Sequence, residues 1–174
     1  KLNWINQHYM RKLTVEEFFA AAKPHMVKAG YMTGNEQGEK LAWLEQVVAT
    51  AKEQVSFGAE IPQAVSMYFA DDFNFETTEA EAVLKEESVP VVMKMFIEEL
   101  QAATTVDGLT VKGIFKSIQK ATKFGGKFVY MPIRVALTGN QHGPELVEMI
   151  PLLGAERSIK RIKNSLDKAG ITLA

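Results

Sequence analysis

The sequence predicts an all-α chain folded as two helical subdomains, and three observations carry that expectation. Apolar residues recur at three- and four-residue intervals in segment after segment, the spacing of one helix face. Strand signals are weak, with no clean alternation and no Asn-Gly hairpin. The charge changes sign partway along. Residues 1–105 carry 9 Lys and Arg against 16 Asp and Glu, a net of −7, whereas residues 106–174 carry 11 against 5, a net of +6. The expected boundary therefore falls at 104–107, dividing an acidic helical subdomain (1–105) from a basic one (106–174). A basic half points to a polyanionic partner, although a solvated surface accounts for it equally well.

Taken in order, residues 1–12 read as a helix with Leu2, Ile5 and Tyr9 on one face and Asn3 and Trp4 packing or bonding at its start. The capping box Thr14-Val-Glu-Glu17 opens a helix through Ala29 that stops at Gly30, with a core face of Val15, Phe18, Phe19, Ala22 and Met26. Pro24 falls inside it and predicts a kink or split. A third helix, 35–53, turns Leu41, Leu44, Val47 and Val48 inward. A short one follows from Pro62 to Ala70 and ends in Asp71-Asp72-Phe73, where the two carboxylates read as helix-end or solvated groups. A second capping box, Thr78-Glu-Ala-Glu81, starts a short acidic helix to about Glu87. Ser88 and Pro90 then cap another, carrying Val91, Met95, Phe96 and Leu100.

From Thr110 to Lys123 the pattern is two-faced. Lys112, Lys116, Lys120 and Lys123 fall on one side and Val111, Ile114, Phe115 and Ile118 on the other. Like charges four residues apart repel, a cost tolerated on solvated faces and relieved when phosphates lie along the stripe. Next come two short helices around a polar loop, Met131-Pro-Ile-Arg134-Val-Ala-Leu-Thr-Gly139 and Pro144-Glu-Leu146 to Gly154, each expected to begin its first turn at its proline. Arg134 is alone in an apolar turn: either a buried ion-pair partner or a presented reader of something anionic or polar. The last helix, 155–168, packs Ile159, Ile162 and Leu166 inward, with Arg157, Lys160, Arg161 and Lys163 around the flanks.

Composition narrows the chemistry. At 174 residues and 47% hydrophobic, the chain can bury a core. It has no cysteine, which removes disulfides and thiolate metal sites, and its three histidines (His8, His25, His142) are scattered. No apolar run approaches the ~20 residues of a membrane span. The first residue is Lys1 rather than Met, which suggests an excised fragment or processed product, and a soluble intracellular monomer is the expectation. His142 has no acid or nucleophile near it in sequence. Lys123-Phe-Gly-Gly-Lys127 lacks both the spacing and the hydroxyl residue of a Walker phosphate loop. The reading is of a chain that binds and performs no chemistry itself.

The motif Met131-Pro-Ile-Arg-Val-Ala-Leu-Thr-Gly139, with Gly143-Pro-Glu-Leu146 and Leu152-Leu-Gly154 after it, closely resembles the carboxy-terminal region of bacterial glutamyl-tRNA synthetases. The opening Lys1-Leu-Asn-Trp-Ile-Asn-Gln-His-Tyr-Met-Arg11 looks like the segment that follows the catalytic and stem-contact parts of that family. The resemblance implies an anticodon-binding region of two helical subdomains, the second an α-helical cage. The partners it implies are tRNA and the enzyme's own catalytic portion, in the cytoplasm. The His-Ile-Gly-His and Lys-Met-Ser-Lys signatures are absent, so ATP and Mg would be used only in that portion, and no cofactor is expected here.

Carried over position by position, the family's anticodon contacts fall on Arg134 and on Gly143, Pro144, Leu146 and Val147, where backbone and apolar surface would hold splayed bases. Val147 cannot stack a base, where some members offer an aromatic. Lys116 matches an anticodon-contacting arginine. Lysine keeps the charge without the planar fork, which favours phosphate contact there, with Lys112, Lys120 and Lys123 as further phosphate ligands. Gln54 aligns with an arginine that, in discriminating enzymes, reads C against G at the third anticodon base. Glutamine offers both a donor and an acceptor without charge. It is thus either the mark of a non-discriminating enzyme, charging tRNA(Glu) and tRNA(Gln) alike, or a solvated helix-end residue.

Two readings stand apart from the resemblance. One is a helical protein–protein scaffold in which the acidic half docks on a neighbour's basic half. The other is a helix-turn-helix DNA module with 155–168 as its recognition helix, weakened by the burial of one face of that helix.

Overall fold

The computed structural model describes residues 2–173, with side chains from residue 6 onward, and is helical throughout with no strand among them. The expected packing of Leu2, Asn3, Trp4 and Ile5 lies outside the described side chains. The chain forms two compact units, Lys1–Ala70 and Asp71–Ala174. The division falls some thirty-five residues before the change of charge sign. The reason is apolar: Val92, Met93, Phe96 and Leu100 of the acidic stretch are fully buried in a helix that packs on the basic segment. Charge decorates a surface and does not report where a core closes.

The first unit holds α1 (Leu2–Lys12), α2 (Val15–Lys28), α3 (Gly38–Ala49) and α4 (Ile61–Val65), with short 3-10 turns on either side of α4. The Thr14 capping box forms as expected, its hydroxyl accepting from Glu17 N–H and the Glu17 carboxylate from Thr14 N–H. α2 runs unbroken past Pro24, and Phe18, Ala22 and Met26 meet Leu44, Val47, Val48, Ile61 and Val65 in the core. α3 is shorter than expected. The Glu36 carboxylate accepts from Thr33 and Gly34 N–H, holding 33–36 as a turn, and the chain leaves the helix after Ala49 through turns that include Gln54.

The second unit holds α5 (Thr78–Val83), α6 (Val89–Ala102), α7 (Gly108–Thr122), α8 (Gly126–Thr138), α9 (Leu146–Leu153) and α10 (Ala155–Lys168). α8 is its axis, packed by α5, α6, α7 and α10. Its second half is buried on every side except at Arg134, from Pro132 to Thr138, so the Pro-Ile-Arg motif stands in the middle of the unit. Pro132 does not begin this helix; it is the seventh residue of it. Pro144 likewise precedes α9, whose N-cap is Glu145. Two caps also differ from expectation. Thr77, one residue earlier than read, receives the Ala80 N–H at the start of α5, and the Ser88 hydroxyl caps nothing but donates to the Phe128 carbonyl.

The start of the unit is fastened to its last helix. Asp71 accepts from Arg157 and Arg161, Lys168 pairs with Asp72 and donates to the Phe73 carbonyl, and Arg161 and Lys168 both lie over the Phe73 ring. Arg161, expected on a flank beside the inward face, is fully buried and also donates to the Leu137 carbonyl. Partial burial alone would raise the Asp71 pKa, but the bonds and charges of the two arginines hold it below the ordinary range. Three α10 cations, Arg157, Arg161 and Lys168, are thus engaged within the chain, which leaves Lys160 and Lys163 as the exposed cations of the flanks and weakens the reading of α10 as a DNA-recognition helix.

Candidate functional site

The site is built on three consecutive helices. α7 starts from Asp107, whose carboxylate accepts the Thr110 N–H, and buries Val111, Ile114, Phe115 and Ile118. That leaves Lys112, Lys116 and Lys120 exposed along the opposite side, as expected. Lys123 ends the helix in the left-handed region, φ 66°, and so departs from the helical register of the stripe.

Arg134 projects from α8 half-buried. Its Nη1 donates to the Pro144 carbonyl at 2.7 Å, and its other N–H groups make no hydrogen bond among the described residues. Burial lowers its pKa, and the nearby Glu145 carboxylate works against that shift. A guanidinium stays charged at neutral pH regardless. Arg134 is therefore neither a buried ion-pair partner nor purely a presented group. One edge shapes the loop and the rest stays available.

The loop from Gly139 to Glu145 is held at both ends. Gly139 has φ +77°, and a Cβ there would come within 2.5 Å of the Asn74 carbonyl, so only glycine lets α8 end against residues 74–76. The Glu76 N–H completes that contact by donating to the Gly139 carbonyl. At the other end Pro144 is buried with its carbonyl on Arg134, while His142 and Gly143 are exposed.

Between these elements lies an open cleft of about 430 Å³. Lys112 and Phe115 line it from α7, Tyr130 and Arg134 from α8, and Glu145, Leu146 and Val147 from the start of α9. The Val147 carbonyl lacks its usual helical donor because Pro151, four residues on, has no N–H. A planar cation, an aromatic ring, an apolar floor and a lysine at the rim suit a flat heterocycle carried on an anionic backbone.

The structure brings Arg134, Pro144, Leu146, Val147 and Lys112 together, sets Gly143 on the exposed loop, and ranges Lys116 and Lys120 further along α7. Gln54 belongs to the first unit, exposed in the turn after α3, where Arg11 pairs with the adjacent Glu53. Sequence reasoning missed Tyr130, Phe115 and Glu145. Tyr130 stands four residues before Arg134, hence on the same helix face, and that spacing could have marked it. No group of three or more His, Cys, Asp or Glu among the described residues could hold a metal ion, and no described helix is long and apolar enough to cross a membrane.

A sequence family described as anticodon binding domain matches residues 17–166. The chain is 43% identical over 166 residues to the glutamate–tRNA ligase of Desulforamulus reducens, covering 95% of this chain and 34% of that protein. It is 44% identical over 163 residues to that of Bacillus cytotoxicus, covering 94% and 33%. The crystal structure of a glutamate tRNA ligase from Elizabethkingia meningosepticum superposes with a TM-score of 0.82 at 20% identity, over 96% of this chain and 32% of that one, a likeness of fold. The chain thus spans about a third of the length of the curated relatives it matches.

Proposed function

We propose, because the chain belongs to the anticodon binding domain family, that its second unit holds the anticodon loop of tRNA(Glu) in the cleft between α7, α8 and α9. The observation that carries this reading is Arg134, which ties the Pro144 carbonyl with one edge and leaves its remaining donors at the cleft. Leu146 and Val147 supply apolar contact, Gly143 and Pro144 backbone contact, and Lys112, Lys116, Lys120 and Lys123 meet phosphates. In this reading the chain is the carboxy-terminal part of a cytoplasmic, monomeric glutamate–tRNA ligase. ATP and Mg act in a catalytic portion outside it, which is its other partner, and this part needs no cofactor.

Footprinting of tRNA tests the proposal. Protection of the anticodon loop is expected with the unaltered chain, reduced with Lys112→Ala/Lys116→Ala and lost with Arg134→Ala. Unchanged protection with the arginine variant removes Arg134 from the site.

The enzyme is further read as non-discriminating, charging tRNA(Glu) and tRNA(Gln) alike. What supports this is an exposed, uncharged Gln54 where the resemblance sets an arginine. Anticodon loops ending in C and in G should then bind within tenfold of one another, and a larger preference for C overturns the assignment.

A further inference from the structure

We infer that Tyr130 is the stacking platform on which one unpaired base of the bound loop lies, an aromatic role that Val147 cannot fill. The inference rests on reading the cleft as an anticodon site and names the residue that holds a base there.

Tyr130 is one of the few large apolar side chains left exposed, 40% accessible, and it forms a wall of the cleft. Its ring is held in place. It meets the buried Phe115 ring edge-on, 4.9 Å between centroids at 86°, and Phe115 in turn stacks on Phe96 at 5.9 Å and 10°. A row of three aromatic rings thus runs from the core to the cleft and ends in solvent. Gly126, one turn earlier in α8, completes the seat, since a Cβ there would stand 3.1 Å from the Tyr130 ring. The Tyr130 hydroxyl makes no hydrogen bond among the described residues, so nothing in the chain calls for a phenol over a phenyl. What the position presents is a ring.

Its neighbours are those a stacked base would use. Arg134 follows at i+4 on the same face, offering its remaining N–H donors to the edge of a base lying on Tyr130. Glu145 borders the cleft as an acceptor for an exocyclic amine or ring N–H, and Lys112 lines it as a cation for the phosphate of the same nucleotide. Base–aromatic stacking tolerates any base, so Tyr130 would hold while Arg134 and Glu145 select.

The test uses anticodon stem–loops with 5-bromouridine placed singly at each anticodon position, bound to the unaltered 174-residue chain, Tyr130→Phe and Tyr130→Leu. Irradiation should cross-link one position to Tyr130, located by mass spectrometry of the digested adduct. Tyr130→Phe should keep the unaltered affinity, whereas Tyr130→Leu should lose that cross-link and bind roughly 5- to 100-fold more weakly, with an unchanged circular dichroism spectrum and melting curve. If the stem–loop binds but cross-links elsewhere, or Tyr130→Leu matches the unaltered chain, the stacking role is overturned and the anticodon reading stands. If the unaltered chain binds no stem–loop, the anticodon reading fails and the role of Tyr130 falls with it.

Discussion

The Ser88 hydroxyl, buried at the start of α6, donates to the main-chain carbonyl of Phe128 at 3.1 Å, and that carbonyl is the one Pro132 deprives of its i+4 donor. A proline in mid-helix is thus tolerated by a side chain from a neighbouring helix. Ser88→Ala should cost about 1–3 kcal/mol, the penalty of an unsatisfied buried acceptor, which lowers the Tm by about 2–4 °C per kcal/mol in a chain of this size. Pro132→Ala restores an N–H to the same carbonyl, so the double variant should be more stable than Ser88→Ala alone. A loss in the double variant equal to the sum of the two single losses would show that the two residues act independently.

Asp71 and Asp72 give a pH signature. Asp71 is held below its ordinary value of 3.8 by Arg157 and Arg161 against the effect of its burial, and Asp72 by Lys168. A carboxylate whose pKa is lower in the folded state contributes stability above its unfolded value and loses it as pH falls through the folded value. Denaturant unfolding should therefore show stability falling as the pH drops below the ordinary carboxylate value of 3.8, with a shallower fall in Asp71→Asn. At neutral pH, Asp71→Ala strips the buried Arg161 of its carboxylate partner. The loss should be roughly 2–3 kcal/mol, less than the ~3–5 of a fully buried pair because Asp71 is partly in water.

The lysine stripe should be legible in salt dependence. Each phosphate contact removed lowers the slope of log affinity against log salt by about 0.7 for a single-stranded loop. Lys112→Ala and Lys116→Ala should each lower the tRNA-binding slope by about that amount, while Lys94→Ala, on α6 in the acidic stretch, leaves it unchanged.

Gly113 sits exposed inside α7 between Lys112 and Lys116, and a Cβ there would meet nothing within 4 Å. Packing within the described chain does not require a glycine at this position. Gly113→Ala should therefore stabilise the chain by about 0.5–1 kcal/mol, measured as a raised Tm. If an RNA backbone passes over this face, the same variant should bind tRNA more weakly.

Helix positions were legible because caps and spacing are local: the Thr14 capping box and the two-faced 110–123 pattern each declare their element within a few residues. What could not be read depends on residues far apart. Ser88 looked like a cap because its partner lies forty positions on, and Pro132 looked like a helix start because nothing nearby excuses a proline in mid-helix. Arg161 reads from sequence as one flanking cation among four because Asp71, its partner, is ninety positions away. The unit boundary at Ala70 was hidden for a related reason, since the acidic and basic stretches share a core. At the site, Arg134, Leu146 and Val147 line one cleft with Tyr130, whose place there has no local signature beyond its four-residue spacing from Arg134.

The clasp between Asp71–Phe73 and α10 also orders events in time. Its bonds join residues 86 to 96 positions apart, so during synthesis the first residues of the second unit must wait for Arg157, Arg161 and Lys168 to emerge. At ~5–20 residues per second that wait is roughly 4–20 s. The first unit, whose contacts close by Ala70, can settle within this interval, before the cleft that Arg134 shapes is complete.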